Sequence, residues 1–416
     1  MTATIPSSGN RASSRRGILK AAALMPAGWT GAAYANDAPE QREVNIGFVA
    51  VESGAPLVVA QEKGFFARHG LKATVHLQTS WAAARDKVIS GENHASHLKY
   101  AQPLASTIGL LGAPKTAMIA PFTLARSGSV FMVAAALKGR LTFDPATWRT
   151  MIEERKAKGE GFTIALPLPF GTHGLLYRYF LANAGINADR DLRLITLPPA
   201  QMVQNIRVGT MQACAMVEPW GSRGVLDGIT AIAMYGFEMW PDHPIKSLGM
   251  RADWAERNPR TVQAILRAAH EAAIWCDRPE NRAELARILS APSYLNTAVK
   301  YILPTLRGEF DWGDGRKETA PEKGVSYANS VPQMREALWH LTQFRRWGMT
   351  EGAPDYEGAS RAVLRPDLYA QAMRDLGLPA PAQDTTPLRL WDGVVFDPAK
   401  PEAYATSFAI KNLKEA

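Results

Sequence analysis

The chain has 416 residues and a formal net charge of +8, from 47 Lys and Arg against 39 Asp and Glu, and it carries two cysteines. That length calls for more than one domain, and two cysteines without a CxxC spacing exclude a disulfide scaffold or a zinc ribbon. Four of the cations, Arg11, Arg15, Arg16 and Lys20, precede the first acidic residue, Asp37, so only +4 remains beyond residue 35, too little for a nucleic-acid-binding chain.

Ser14-Arg15-Arg16-Gly17-Ile18-Leu19-Lys20 reads as a twin-arginine export signal. A weakly apolar stretch, Ala21 to Ala33, follows and ends at the small-x-small site Ala33-Tyr34-Ala35. It falls short of the roughly 20 apolar residues that a membrane span needs. Residues 1–35 are therefore expected to be a cleaved signal, and the mature chain to work in the periplasm.

Beyond it, strands and helices alternate. Val44 to Val49 predicts a strand and Pro56 to Arg68 a helix stopped by Gly70. Lys72 to Leu77 alternates as a strand, and Ser80 caps a helix from Trp81 to Ile89. A second set begins with a strand at Phe162 to Leu166, a Pro/Gly loop at Pro167 to Gly171, and a helix capped by Thr172. Leu192 to Leu197 is the next strand, Pro198-Pro199 open a helix that ends at Gly209, and Ala213 to Val217 is a further strand. Pro219-Trp220 turn the chain into a short helix. Asn258-Pro259 start a helix with Val262, Ile265, Leu266 and Ala269 at helical spacing. Residues 308–333 read as a long loop, and Glu336 to Trp347 as a helix. Two βα sets predict an α/β protein with two lobes built on mostly parallel sheets: residues 36–125 with 245–416, and residues 126–244. Cys214 and Cys276 fall on a strand and a helix pattern, and their pairing is left open.

Parallel sheets place ligands at the carboxyl ends of strands, beside free N–H groups of helix starts. Two loops meet that description, Thr79-Ser80-Trp81 and Gly171-Thr172-His173, one in each set. Each combines hydroxyls with a flat ring, which suits a small planar anion. Either loop alone is as well explained by ordinary helix capping. His243-Pro244-Ile245-Lys246 lies where the chain returns to the first lobe and offers a cation. His94 and His97 are three apart without a second cluster, so no metal site and no cofactor are expected. No nucleophile elbow, dinucleotide fingerprint or phosphate loop occurs, so no catalytic residues are assigned.

Several stretches together resemble the nitrate/bicarbonate-binding proteins of bacterial ABC importers. They are Ile46-Gly47-Phe48, Ala55-Pro56-Leu57-Val58, Glu62-Lys63-Gly64-Phe65-Phe66, Ser80-Trp81, Arg85-Asp86-Lys87, Gly171-Thr172-His173 and Pro198-Pro199-Ala200-Gln201-Met202-Val203. Glu218-Pro219-Trp220, Asp242-His243-Pro244, Ala337-Leu338-Trp339 and the run from Thr342 to Gly348 continue the series. The resemblance implies a two-lobed periplasmic-binding-protein fold of type II, closing on a small oxyanion without catalysis and delivering it to a membrane permease. A monomer is expected. The Trp, His and Lys of nitrate members fall on Trp81, His173 and Lys246, with Thr172 and Pro199 in adjoining matched stretches. Lys246 favours nitrate, since bicarbonate-type members tend to carry an acidic residue there. Ser129 stands where the family has Gln, and Val217 where it has Gly. The run from Leu98 to Pro103 is also unusual, and Lys99 adds charge. Bicarbonate, nitrite, cyanate or a short sulfonate are the alternative ligands. A thiamine-pyrimidine-type enzyme and an ion sensor are the alternatives of another class; the former lacks its Cys-rich run here, and the export signal argues against cytosolic work.

Overall fold

Two five-stranded sheets of the same internal order organise the chain in a computed structural model that describes residues 38–415. The twin-arginine motif and the cleavage site lie outside the described residues. The strands are β1 (Glu43–Val49), β2 (Lys72–Gln78), β3 (Ala95–Lys99), β4 (Met118–Arg126), β5 (Ser129–Ala134), β6 (Thr163–Leu166), β7 (Arg193–Thr196), β8 (Ala213–Val217), β9 (Thr230–Tyr235) and β10 (Pro244–Arg251). The first sheet runs β2-β1-β3-β10-β4 and the second β7-β6-β8-β5-β9. In each, three strands pair in parallel, β2-β1-β3 and β7-β6-β8. The strand by which the chain arrives from the other sheet, β10 or β5, is antiparallel to both of its neighbours.

Burial differs among the strands. The central strands β3 and β8 are buried at every residue, as expected where helices cover both faces. Of the edge strands, β2 buries one residue and β7 none, whereas β4 and β9 at the opposite edges are buried throughout. Alternation along β5 sends Val130 and Met132 to one hydrophobic cluster and Phe131 and Val133 to another. The helix Pro259–Asp277 buries Val262, Ile265, Leu266 and Ala269, the face its spacing predicts.

Three expectations change. The helix expected over 56–68 is two, Ala55–Glu62 and Phe65–Arg68, because Gly64 takes a φ of 71° and breaks the ladder between them. Residues 308–333 hold a small antiparallel hairpin, Glu309–Asp311 with Lys317–Thr319, rather than a plain loop. Thr172 does not cap its helix; Gly171 takes the cap position without a side-chain bond. The Thr172 hydroxyl instead donates to the Pro244 carbonyl at 3.2 Å and lies 2.9 Å from His340 Nε2.

The two chain crossings between the sheets are tied together. β4 ends at Arg126, Ser127 and Gly128 turn with φ of 60° and 77°, and β5 begins at Ser129. On the return, Asp242 takes a φ of 56° just before β10. Ser127 N–H donates to the His243 carbonyl at 2.9 Å. Arg126 donates to the carbonyls of Asp242, Asn329 and Val331 and pairs with Glu336 at 2.5 Å. Both side chains of that pair are almost fully buried.

Candidate ligand-binding site

The carboxyl end of β3, the start of β10 and the starts of two helices converge on the Trp81 ring. Trp81 opens the helix Trp81–Ser90, where the Ser80 hydroxyl accepts from Ala83 N–H at 3.1 Å and so caps it as expected. The indole is 1% exposed and meets His97 edge-on at 5.1 Å. Gln102 fixes the local geometry from below: its amide donates to the Trp81 carbonyl at 2.8 Å, and its oxygen accepts from Lys99 N–H at 2.9 Å.

Lys99 and Lys246 are Cα partners on the antiparallel strands β3 and β10. Their ammonium groups lie 4.6 Å and 5.0 Å from the centroid of the same Trp81 ring, within cation–π range. Both side chains are buried. Lys246 Nζ and Trp81 Nε1 have no hydrogen-bond partner among the described residues. No ion pair of the described residues involves either lysine; the groups around them are imidazoles, a hydroxyl and an indole. Burial brings Lys99 down to about 7, and burial together with Lys99 holds Lys246 well below the usual lysine range.

From Lys99 a directed chain runs through the second sheet. Lys99 Nζ lies 3.3 Å from His173 Nδ1, His173 Nε2 lies 3.2 Å from Ser129 Oγ, and Ser129 Oγ lies 2.7 Å from His243 Nε2. His243 Nδ1 lies 2.9 Å from the Trp240 carbonyl, which only accepts, so that nitrogen carries the proton. His243 Nε2 must then accept from the Ser129 hydroxyl. Ser129 in turn accepts from His173 Nε2–H, and His173 Nδ1 accepts from Lys99. The order holds because His173 and His243 are neutral: burial is the main cause in each, and His243 is pushed down to about 4. Both nitrogens of His173 thus have protein partners, and its ring orients Lys99.

Among the residues singled out from the sequence, Trp81, Lys246, His173 and Ser129 come together with Lys99. Val217 is buried and pairs with Ser129 across β8 and β5, one step from the cluster. Thr172 stands beside His173 and bonds to the β10 backbone, linking the second sheet's helix to the first sheet's strand. Pro199 is buried as the first residue of the helix Pro199–Arg207, and it takes no part in the hydrogen bonds or ring contacts of the cluster. Gln102 and His243 complete the arrangement and escape sequence reasoning, although His243 sits in a matched stretch. Glu218 is not part of it; its carboxylate accepts from Ser222 N–H at 2.9 Å and so caps the helix that begins at Trp220. Cys214 and Cys276 are both buried free thiols. Among the described residues no group of three or more His, Cys, Asp or Glu is set to hold a metal ion, and no helix is long and apolar enough to cross a membrane.

Chemically, this is a binding arrangement. The Ser129–His243 contact has the length of a nucleophile–base pair, but the outer nitrogen of His243 faces a neutral carbonyl. No carboxylate is there to stabilise an imidazolium, which a working triad requires. What the cluster offers is a surplus of positive charge and N–H donors around a flat apolar wall.

Comparison with known proteins places that geometry in context. A family model described as the NMT1-like family matches residues 37–290. The nitrate/nitrite binding protein NrtA of Synechococcus elongatus is 35% identical, over 94% of this chain and 90% of its own length. The bicarbonate-binding protein CmpA of the same organism is 34% identical, over 89% of this chain and 88% of its own. The crystal structure of the periplasmic nitrate-binding protein NrtA from Synechocystis PCC 6803 superposes with a TM-score of 0.86 at 32% identity, covering 90% of this chain and all of that one.

Proposed function

This chain belongs to the NMT1-like family, and from that membership and the lysine-lined site we propose that it is an exported solute-binding protein that captures a small oxyanion of the nitrate class for an ABC importer. The observation that carries the reading is the pair Lys246 and Trp81, whose buried Nζ and Nε1 lack protein acceptors in a site without a carboxylate. A buried ammonium is costly unless it is paired. An oxyanion supplies both the opposite charge and the acceptor oxygens, and the indole face supplies an apolar wall. Delivery to a membrane permease belongs to this reading, and the two-sheet architecture supports it, because a ligand held between two lobes would report its presence by closing them.

In this reading residues 1–35 take the protein to the periplasm by the twin-arginine route, and the two lobes are residues 36–125 with 245–416, and residues 126–244. Lys246 and Lys99 supply charge, Trp81 the wall, and His173 with Ser129 the positioning of Lys99. Val217 narrows the second-lobe side, while Thr172 couples the lobes. Nitrate is the reference ligand, and nitrite and bicarbonate belong to the same chemical class. The test is a thermal-shift and calorimetric screen of the protein lacking residues 1–35 against these anions, followed by recovery of the ligand. One bound anion, returned chemically unchanged, supports the reading; an altered product would move the protein to an enzyme.

A further inference from the structure

We infer that the site is built for a small oxyanion carrying two negative charges, sulfate or oxalate in type, with Lys99 as the residue that selects the second charge. The inference rests on the oxyanion reading above and goes further on charge. A single buried lysine matches a monovalent ligand. Here a second ammonium stands on the adjacent strand, in register with Lys246, and both point at one indole ring from 4.6 Å and 5.0 Å.

No described residue forms an ion pair with either lysine. Among the described residues the Lys99 ammonium has one side-chain hydrogen bond, to the neutral His173, and Lys246 Nζ has none. Glu52 and Glu218 are buried too, but Thr305 and Ser222 donate to them, and no ion pair joins either to a lysine. Two like charges in a dry site repel each other and each loses its hydration. A monovalent anion compensates one charge and leaves the other, so the site must either keep a surplus charge or release a proton from one of the two lysines. A divalent anion closes the balance with both lysines protonated. The five unspent N–H bonds of the two ammonium groups, three on Lys246 and two on Lys99, also suit an anion with several acceptor oxygens.

The Lys99 side chain is held for this task rather than filling space. Its backbone N–H is fixed by Gln102, its ammonium is oriented by the His173–Ser129–His243 chain, and its Cδ would lie 3.5 Å from a Cβ at Gly171. That is an ordinary van der Waals distance, so the start of the helix Thr172–Asn183 packs closely along the lysine stem. These supports come from both sheets, so the second charge is positioned from both sides of the site.

The experiment is calorimetric titration of the protein lacking residues 1–35 with sulfate, oxalate, nitrate and chloride at neutral pH, repeated with Lys99→Leu and Lys99→Arg. At least one divalent anion is expected to bind tenfold or more tightly than nitrate. Lys99→Leu is expected to cut divalent binding at least thirtyfold and nitrate binding by a clearly smaller factor, so that the divalent preference is lost, and Lys99→Arg to retain that preference. If nitrate binds more tightly than sulfate and oxalate, the inference is overturned while the oxyanion reading stands. If none of sulfate, oxalate and nitrate binds, and the screen above finds no binding of nitrite or bicarbonate either, both fail together.

Discussion

Lys246 and Lys99 face each other as Cα partners across antiparallel strands, and both ammonium groups lie within 5.0 Å of the centroid of the Trp81 ring without an acidic partner. The pair is costly to the ligand-free fold. Buried charges that lack compensation persist where a ligand supplies it, and pH then becomes a direct probe of the site.

Burial brings the folded Lys99 to about 7, against 10.5 for an ordinary lysine. Between those values the unfolded chain still holds a proton that the folded chain has released. Stability of the ligand-free protein therefore rises with pH across that window, and Lys246 adds in the same direction. Glu218, pushed up to about 7 by burial, acts below it with the opposite slope, losing stability between about 4.5 and 7. Anion binding has the reverse dependence on the lysines, since an anion favours the ammonium form: affinity falls as pH rises through about 7. Calorimetry in buffers of different ionisation enthalpy is expected to show proton uptake on binding at pH above about 7, reduced in Lys99→Leu. Affinity independent of pH between about 6 and 9 would contradict this.

Ser129 accepts from one imidazole and donates to the next. Ser129→Ala removes the donor to His243 Nε2 in a buried site, and an unmade buried hydrogen bond costs about 1–3 kcal/mol. A denaturant midpoint shifted by that amount is expected, with weaker anion binding because Lys99 loses the ring that orients it. Unchanged stability and affinity would mean that the chain of hydrogen bonds is incidental.

Arg126 and Glu336 anchor the first crossing to the C-terminal region. Removing one partner of a buried ion pair typically costs about 3–5 kcal/mol, because the other charge is left uncompensated. Glu336→Ala is expected to destabilise by that order in urea unfolding, whereas replacing both residues by Met costs much less. Equal losses in the single and double variants would assign the cost to packing rather than to charge.

Much of this was legible in the sequence, for identifiable reasons. Alternating strand and helix patterns with Gly and Pro stops locate the two sheets, and the Ser80 cap places Trp81 at a helix start. Thr172 has the same sequence signature as Ser80 but a different fate, since its hydroxyl found tertiary partners in the Pro244 carbonyl and His340. β4 gives no alternation to read, because all nine of its residues are buried. Lys99 stands out in the sequence only as an unusual charge. Its pairing with Lys246 depends on the register of strands brought together by the second sheet's detour, which no local pattern encodes. The roles of His173 and Ser129 depend in turn on the Trp240 carbonyl, which sets the direction of the hydrogen-bond chain.

Export rests on Arg15-Arg16 ahead of Ile18-Leu19-Lys20. Changing both arginines to lysine is expected to leave precursor in the cytoplasm. Cell fractionation measures this directly, and normal periplasmic accumulation of the double variant would exclude the twin-arginine route.

Lys246 decides the central claim. Removing a charged partner from a buried pair costs about 2–5 kcal/mol, much of it the penalty left on the other charge. That is a loss of roughly 30- to several-thousand-fold in affinity. The most direct measurement is calorimetric titration of the protein lacking residues 1–35, and of Lys246→Ala, with a panel of small oxyanions that includes nitrate. The account predicts one saturable site in the parent, a loss of that order in Lys246→Ala, and a ligand-free variant that unfolds no more easily than the parent. A variant that binds the same anion as tightly as the parent would contradict it, as would a parent that binds no small oxyanion.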